Sequence, residues 1–368
     1  MKRNWLSYMC MAALLSGALT SCNESSFLNL SDPNHFTESN FWKDKADAES
    51  ALAAAYSPIK GAMYGYFGAF DGWLNLNGRG DDIFTIKGEE VPMWNIANFL
   101  NSPSTGNDPY GALYSGIQRA NIVLRYIDQV PASGITEEDR SMIKGEALFL
   151  RGYQYFLLVN NYKEVPLRLI PSNEDETNKG PASEAALWTQ VEEDLGNAIK
   201  CNLPVERTTA KERVTKGAAI AMLGKVYATQ HRYPEAKQLL GTLLKAPYSY
   251  ELIDNFGKNF TNEDEFNKES VYEIAYSPDG EYSWSNESGI CLGCYIPQFT
   301  GPVKSGGWAK LMPNSFIVGE FTRETRPNDA DTKFDRRMYA SLFFDAANYG
   351  DKVPNEKWYG NNYSMDEL

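Results

Sequence analysis

The chain has 368 residues, 43% hydrophobic and 13% aromatic, with 35 basic against 48 acidic side chains. That balance describes a core-forming protein and excludes disorder as its general state. A formal charge of -13 argues against a nucleic-acid partner, because phosphate-backbone binding draws on clustered Lys and Arg, and with only His35 and His231 present most imidazole-based metal or triad chemistry is remote.

In chain order, residues 1–21 read as a secretory signal. Lys2 and Arg3 supply the positive start, and Leu6 to Leu19 is an uncharged apolar run too short to be a comfortable membrane span. The run ends at Leu19-Thr20-Ser21-Cys22, which resembles the lipobox of bacterial lipoproteins, so Cys22 is expected to be lipidated and, with two or more acyl chains, to anchor the chain to a membrane. Removal of the signal leaves 33 basic and 48 acidic residues, a net charge of -15. Cys201, Cys291 and Cys294 then face an oxidising exterior. Cys291-Leu-Gly-Cys294 has neither the second pair of a zinc site nor a βαβ setting, and reads as a local loop disulfide. Cys201 has no evident partner.

Asp44 to Tyr64 is an alanine-rich helix that Pro58 should kink or break. Leu113, Ile117, Ala120, Leu124 and Ile127 mark the apolar stripe of a second helix, ended by Pro131. A third runs from Thr136 to Asn160, with Thr136 and Asp139 resembling a capping box and Ile143, Ala147, Leu150, Gln154 and Leu157 as its stripe. Residues 161–183 form an insert whose polar run Asn173 to Thr177 reads as solvated loop. Leu187, Val191, Leu195 and Ala198 belong to the next helix, and a tight helical hairpin turns at Tyr233-Pro234, where the proline suits a first helical turn. Leu223-Gly224-x-x-Tyr227, with Ala236 nine residues on, has the spacing of a tetratricopeptide repeat, in which the glycine lets two helices approach and the tyrosine fills the gap. After Ala246 the periodicity fades, leaving one strand candidate, Val271 to Ser277, with Tyr272, Ile274 and Tyr276 on one face. The expected fold is therefore mainly α: helical repeats of tetratricopeptide type over about residues 40–245, and a loop-rich, aromatic-rich irregular portion with few short strands over residues 246–368.

Three segments set large aromatic side chains beside hydrogen-bonding groups. Asn77-Gly-Arg79-Gly-Asp81-Asp82 lies between Trp73 and Trp94. Tyr282-x-Trp284-x-Asn286 leads on to Tyr295, and in Gly306-Gly307-Trp308 the paired glycines leave the indole unshielded. No phosphate cradle is present, since the glycine-rich run lacks its Gly-Lys-Ser/Thr ending. Asn328-Asp329-Ala-Asp331-Thr-Lys333 departs from a calcium-binding loop at Lys333 and lacks its glycine, so no cofactor is implied beyond a weak calcium site there.

Six stretches in one order, FLNLSDPNHFTESNFWKDKADAESALAAAY, LYSGIQRANIVLRYID, GEALFLRGYQYFLLVNNYKEVPL, WTQVEEDLGNAIKCNLP, VTKGAAIAMLGKVY and ESVYEIAYS, resemble the SusD/RagB family of outer-membrane lipoproteins. The resemblance implies a helical fold with four tetratricopeptide-like units and a loop-rich part holding a glycan site, anchored through Cys22 at the cell surface. It also implies capture of oligosaccharide or polysaccharide without catalysis and delivery to a TonB-dependent (SusC-like) outer-membrane transporter. By analogy with the family the sugar-contacting residues are Asp81, Trp94, Trp284 and Trp308, with Arg79 and Trp73 beside them. Lys163 stands where the family's Gly-Asp-Val-Pro turn has glycine, which changes the turn chemistry and not the fold. Family members usually continue well past this length, so the single body of residues 22–368 is expected to be incomplete. Two other classes compete with this reading: a repeat scaffold for a peptide or protein partner, and a glycoside hydrolase using two carboxylates, for which no motif selects a pair.

Overall fold

The computed structural model describes residues 41–60, 66–68, 72, 77–85, 91–100, 109–172, 174–277, 293–303, 306–323 and 334–344, with backbone alone at residues 91, 92, 174, 357–358 and 361–362. The chain divides into two units, Met1–Lys43 and Asp44–Leu368. In the first, the rings of Phe41 and Trp42 meet edge to face at 5.3 Å. The signal segment and Cys22 lie outside the described residues.

In the second unit α1 (Lys45–Lys60) buries Ala48, Leu52, Ala55 and Ile59. Strand β1 (Ile83–Phe84) and α2 (Val91–Ala97) follow, then α3 (Tyr110–Tyr126), which buries Leu113, Ile117, Ala120 and Val123 and passes into a 3-10 turn over Ile127–Gln129. α1 does not break at Pro58 as expected. A proline here removes the N–H that would reach the carbonyl of Ala54. Arg119 of α3 takes its place, donating from Nη1 to that oxygen at 2.9 Å.

The central helix α4 (Glu137–Tyr162) buries all five residues of its expected stripe and much of its remaining circumference, because α1, α3 and α6 (Glu184–Lys200) pack around it. Its N-cap is half of a capping box. The Thr136 hydroxyl accepts from the Asp139 N–H at 3.1 Å, but the Asp139 carboxylate takes the threonine hydroxyl and the Lys45 ammonium, at 2.9 and 2.7 Å, in place of a backbone N–H. The Lys45 contact holds the Asp139 carboxyl below the usual carboxylate range. Ser183 and Thr215 cap α6 and α7 (Lys216–Thr229) in the same way, accepting from Ala186 and Ala218. At its C-terminus α4 is closed by Lys163, at φ 66° and ψ -79°, with the Glu164 N–H donating to the Tyr162 carbonyl at 2.8 Å. That is a γ-turn of the strained, positive-φ kind, which accounts for the glycine that the resemblance places at this position.

The hairpin of α7 and α8 (Tyr233–Leu240) bears out the repeat signature, with Pro234 in the first turn of α8 and Ala236 buried. A Cβ on Gly224 would come within 2.4 Å of the Leu240 side chain, so a larger residue there would have to push that leucine aside where the two helices approach. Tyr227 is half-buried and carries the Arg232 guanidinium over its ring at 4.3 Å. Packing runs in chain order, α1 on α3, α3 on α4, α4 on α6, α6 on α7 and α7 on α8, as in a repeat solenoid.

The insert docks on the helices, and in its polar run Asp175 and Thr177 are exposed as expected, although the backbone there is helical and not a loop. Tyr114, Tyr155 and Asn121 donate to the carbonyls of Pro166, Arg168 and Ile170, Pro166 bridges Pro181, and Glu174–Thr177 forms a short helix, α5, whose Glu176 is buried and paired with Lys179 at 3.1 Å. Residues 271–277 form no strand. Tyr272 instead meets Phe149 edge-on at 5.3 Å, and Tyr276 donates to the Lys60 carbonyl at 2.8 Å, so side-chain docking onto helices replaces a ladder.

Beyond α8 come a 3-10 turn at Phe256–Phe260, α9 (Ile296–Thr300), strand β2 (Met312–Pro313), α10 (Ser315–Arg323) and α11 (Arg336–Ser341). β1 pairs antiparallel with β2, Ile83 against Pro313 and Phe84 against Met312. β3 (Lys357–Trp358) pairs antiparallel with β4 (Asn361–Asn362). Among the described residues no helix is long and apolar enough to cross a membrane.

Candidate functional site

The two-residue ladder between β1 and β2 ties together two of the segments that carry expected site residues. Asn77 to Gly80 form a turn closed by the Gly80 N–H on the Asn77 carbonyl at 2.8 Å. This turn aims Arg79 toward the end of α4, where its Nη2 donates to Asn161 Oδ1 at 3.2 Å. Asp81 and Asp82 follow, both exposed, and the Asp82 carbonyl accepts the Asn314 N–H at 2.8 Å. The segment bearing Arg79 and Asp81 is thereby fastened to a strand that begins four residues after Trp308, more than two hundred positions away in the chain.

Trp308 is held from the other side by α9. Its N–H donates to the Gln298 carbonyl at 2.7 Å, and Lys310 and Ala309 bond back to Phe299 and Gly301. The indole lies nearly parallel to the Tyr295 ring, 18° off with centroids 6.2 Å apart, and edge-on to the buried Phe299 at 6.4 Å. Trp308 is thus half-buried and not unshielded as the paired glycines suggested. Gly307 serves backbone packing: a Cβ there would fall 2.1 Å from the Gly301 carbonyl oxygen. The result is an aromatic shelf of Tyr295 and Trp308 backed by Phe299.

Trp94 is half-buried on α2, between the buried Met93 and Ile96, with Phe99 and Leu100 exposed just beyond it. Trp73 and Trp284 lie outside the described residues, as do Cys291 of the expected disulfide and the calcium candidate at Asn328–Lys333. Among the described residues no His, Cys, Asp and Glu side chains gather as a metal site would require. Cys201 is a half-buried free thiol, and burial pushes its pKa up.

Asn161, Tyr66 and Phe299 escaped the sequence reading. Asn161 was concealed in the helical pattern of α4, and its contact with Arg79 spans 82 positions. Tyr66 reaches the same amide; its burial raises the phenol pKa, partly offset by the Asn161 contact and the charge of Arg79. Beside them Tyr110 and Tyr162 meet edge to face at 5.3 Å, and Tyr110 and Tyr114 lie 4.8 Å apart, so tyrosine rings surround this end of α4.

Comparison with known proteins places these features in a family. The model of a SusD-like group described as starch-binding, associating with outer membrane, matches residues 82–228, and that of the SusD family matches residues 268–367. The chain is 25% identical over 329 residues to a SusD-like protein of Formosa agariphila, covering 81% of this chain and 61% of that one. Among solved structures it is similar to a SusD superfamily protein from Bacteroides vulgatus, with TM-score 0.68 and 29% identity over 81% of this chain and 61% of the other. It is also similar to a laminarin-binding SusD-like protein, with TM-score 0.64 and 28% identity over 71% and 58% of the two chains. The chain therefore spans about three fifths of the length of these relatives. With the helical repeats, the ordered sequence stretches and both family models in agreement, the chain belongs to the SusD/RagB family.

Proposed function

We propose that the protein is a cell-surface glycan-binding lipoprotein that captures a neutral oligosaccharide or polysaccharide and passes it to a TonB-dependent outer-membrane transporter, without catalysis. The observation that carries the reading is the Tyr295–Trp308 shelf backed by Phe299, and the Arg79–Asp81 segment, which leads into the strand paired with the one after Trp308, is proposed to supply its polar partners. Sugar rings stack their C–H faces on such a shelf while their hydroxyls bond to charged and amide groups at its edge. A solved relative named as laminarin-binding shares the fold at 28% identity, which makes a β-glucan the first ligand to test. The net charge of -15 after signal removal suits a neutral ligand better than an anionic one. Trp94, Trp284 and Trp73 are proposed as further sugar-contacting residues, Cys22 as the lipid anchor and calcium as no more than a weak ligand of Asn328–Lys333.

Affinity electrophoresis in gels cast with laminarin, soluble starch or dextran tests this. The wild type is expected to be retarded in at least one gel, and Trp308→Ala to weaken that binding about tenfold or more, as loss of an aromatic anchor does. Free passage through all three gels, or equal retardation of the variant, contradicts the assignment. Release of reducing sugar at catalytic rates would make the protein a hydrolase, and co-purification with an outer-membrane barrel tests the transporter.

A further inference from the structure

Arg79 is the cation of the proposed site, and an arginine in solvent spreads over many rotamers, so something must fix its plane before a glycan arrives if it is to add affinity. The end of α4 provides the means. Asn161 sits one residue before the last position of that helix, and its Nδ2 donates to the Leu157 carbonyl at 2.7 Å. This bond orients the amide and leaves Oδ1 to accept from Arg79 Nη2 at 3.2 Å. The rest of α4 is immobilised by burial on several sides, and Tyr66 braces the same amide.

We infer that Asn161 is a positioning residue of the glycan site, holding the Arg79 guanidinium from the C-terminal turn of α4 so that it meets the hydroxyls of a bound sugar. The inference rests on the glycan-binding reading above and adds to it that the end of the central repeat helix is the back wall of the site. Asn161 acts through Arg79 and touches no sugar itself.

The test is a double-mutant cycle on the full lipid-anchored chain in mild detergent, with affinity measured by calorimetry against whichever of laminarin, soluble starch or dextran retards the wild type. Arg79→Ala and Asn161→Leu are each expected to weaken binding on the order of tenfold, the scale of one hydrogen bond to a charged group. The double variant should be no weaker than about the worse single variant, because both remove the same oriented cation. Asn161→Asp, whose carboxylate still accepts from Arg79 but no longer donates to the Leu157 carbonyl, should recover part of the loss. Multiplying losses in the double variant, unchanged affinity in Asn161→Leu, or a loss in Asn161→Asp equal to that in Asn161→Leu overturns the inference while leaving the glycan reading intact. A wild type that binds none of the three glucans overturns both.

Discussion

Lys163 shows how much one residue can disclose. Its positive φ at the centre of a γ-turn costs an L-residue about 1–3 kcal/mol, whereas glycine adopts it freely and loses about 0.5–1 kcal/mol in unfolded-state entropy. The exposed ion pair of Lys163 with Glu184, at 3.2 Å, offsets little of this strain. Lys163→Gly should therefore stabilise the protein by about 1 kcal/mol, read as a higher urea midpoint; a lower midpoint would show that the turn is not strained. The departure from a glycine was visible in the sequence, but its cost was not, because φ is set by where the insert must go after α4. The residues proposed for the site divide in the same way. Arg79, Asp81 and Trp308 were legible as residue types suited to sugar, whereas the covering of Trp308 by Tyr295 and the clasp of Asn161 on Arg79 depend on contacts that no local spacing encodes.

Elements were read well where burial is periodic. α1, α3, α4 and α6 follow stripes that any amphipathic helix must show to pack on a neighbour. The errors arose where a neighbour supplied what the segment lacked. Pro58 does not end α1, since Arg119 satisfies the carbonyl that the proline leaves unpaired. Arg119→Ala should thus cost about 1 kcal/mol in the native background. In a Pro58→Ala background, where the helix regains its own N–H, the same substitution should cost close to nothing. Equal costs in both, from thermal or urea unfolding, would mean that Arg119 does not substitute for the missing bond. Residues 271–277 were misread for the converse reason: their alternation suits a strand, but helices and not a strand stand beside them, and Tyr272 and Tyr276 dock there.

At the scale of the whole molecule, buried charge ties together parts far apart in the chain. Glu146 of α4 is fully buried, and its carboxylate accepts from Tyr56 of α1 at 2.5 Å, from Arg207 at 2.8 Å and from both Nε and Nη2 of Arg213 at 2.9 and 2.7 Å. Arg213 also pairs with Glu49 of α1 at 2.7 Å. A second cluster joins α4 to α6, with Arg151 donating twice to Asp194 at 2.8 and 2.7 Å and once to Asn121 of α3 at 3.0 Å. Removing one member of such a group strands the others without water, so Glu146→Gln should destabilise by about 3–5 kcal/mol. Replacing Glu146, Arg207 and Arg213 together by Leu, Met and Met should recover much of that, as measured by urea unfolding; a loss below about 1 kcal/mol for Glu146→Gln would show the charges to be solvated. The sequence by itself determined the repeat helices, their order and the kind of chemistry carried by the loops, because amphipathic burial and residue type are local properties. Only the tertiary structure decided which loops meet, what covers each aromatic ring and which buried charges pair. Those outcomes depend on contacts that reach across as many as 230 positions, such as Arg207 with Glu146 and Ile83 with Pro313, and such contacts leave no period in the chain.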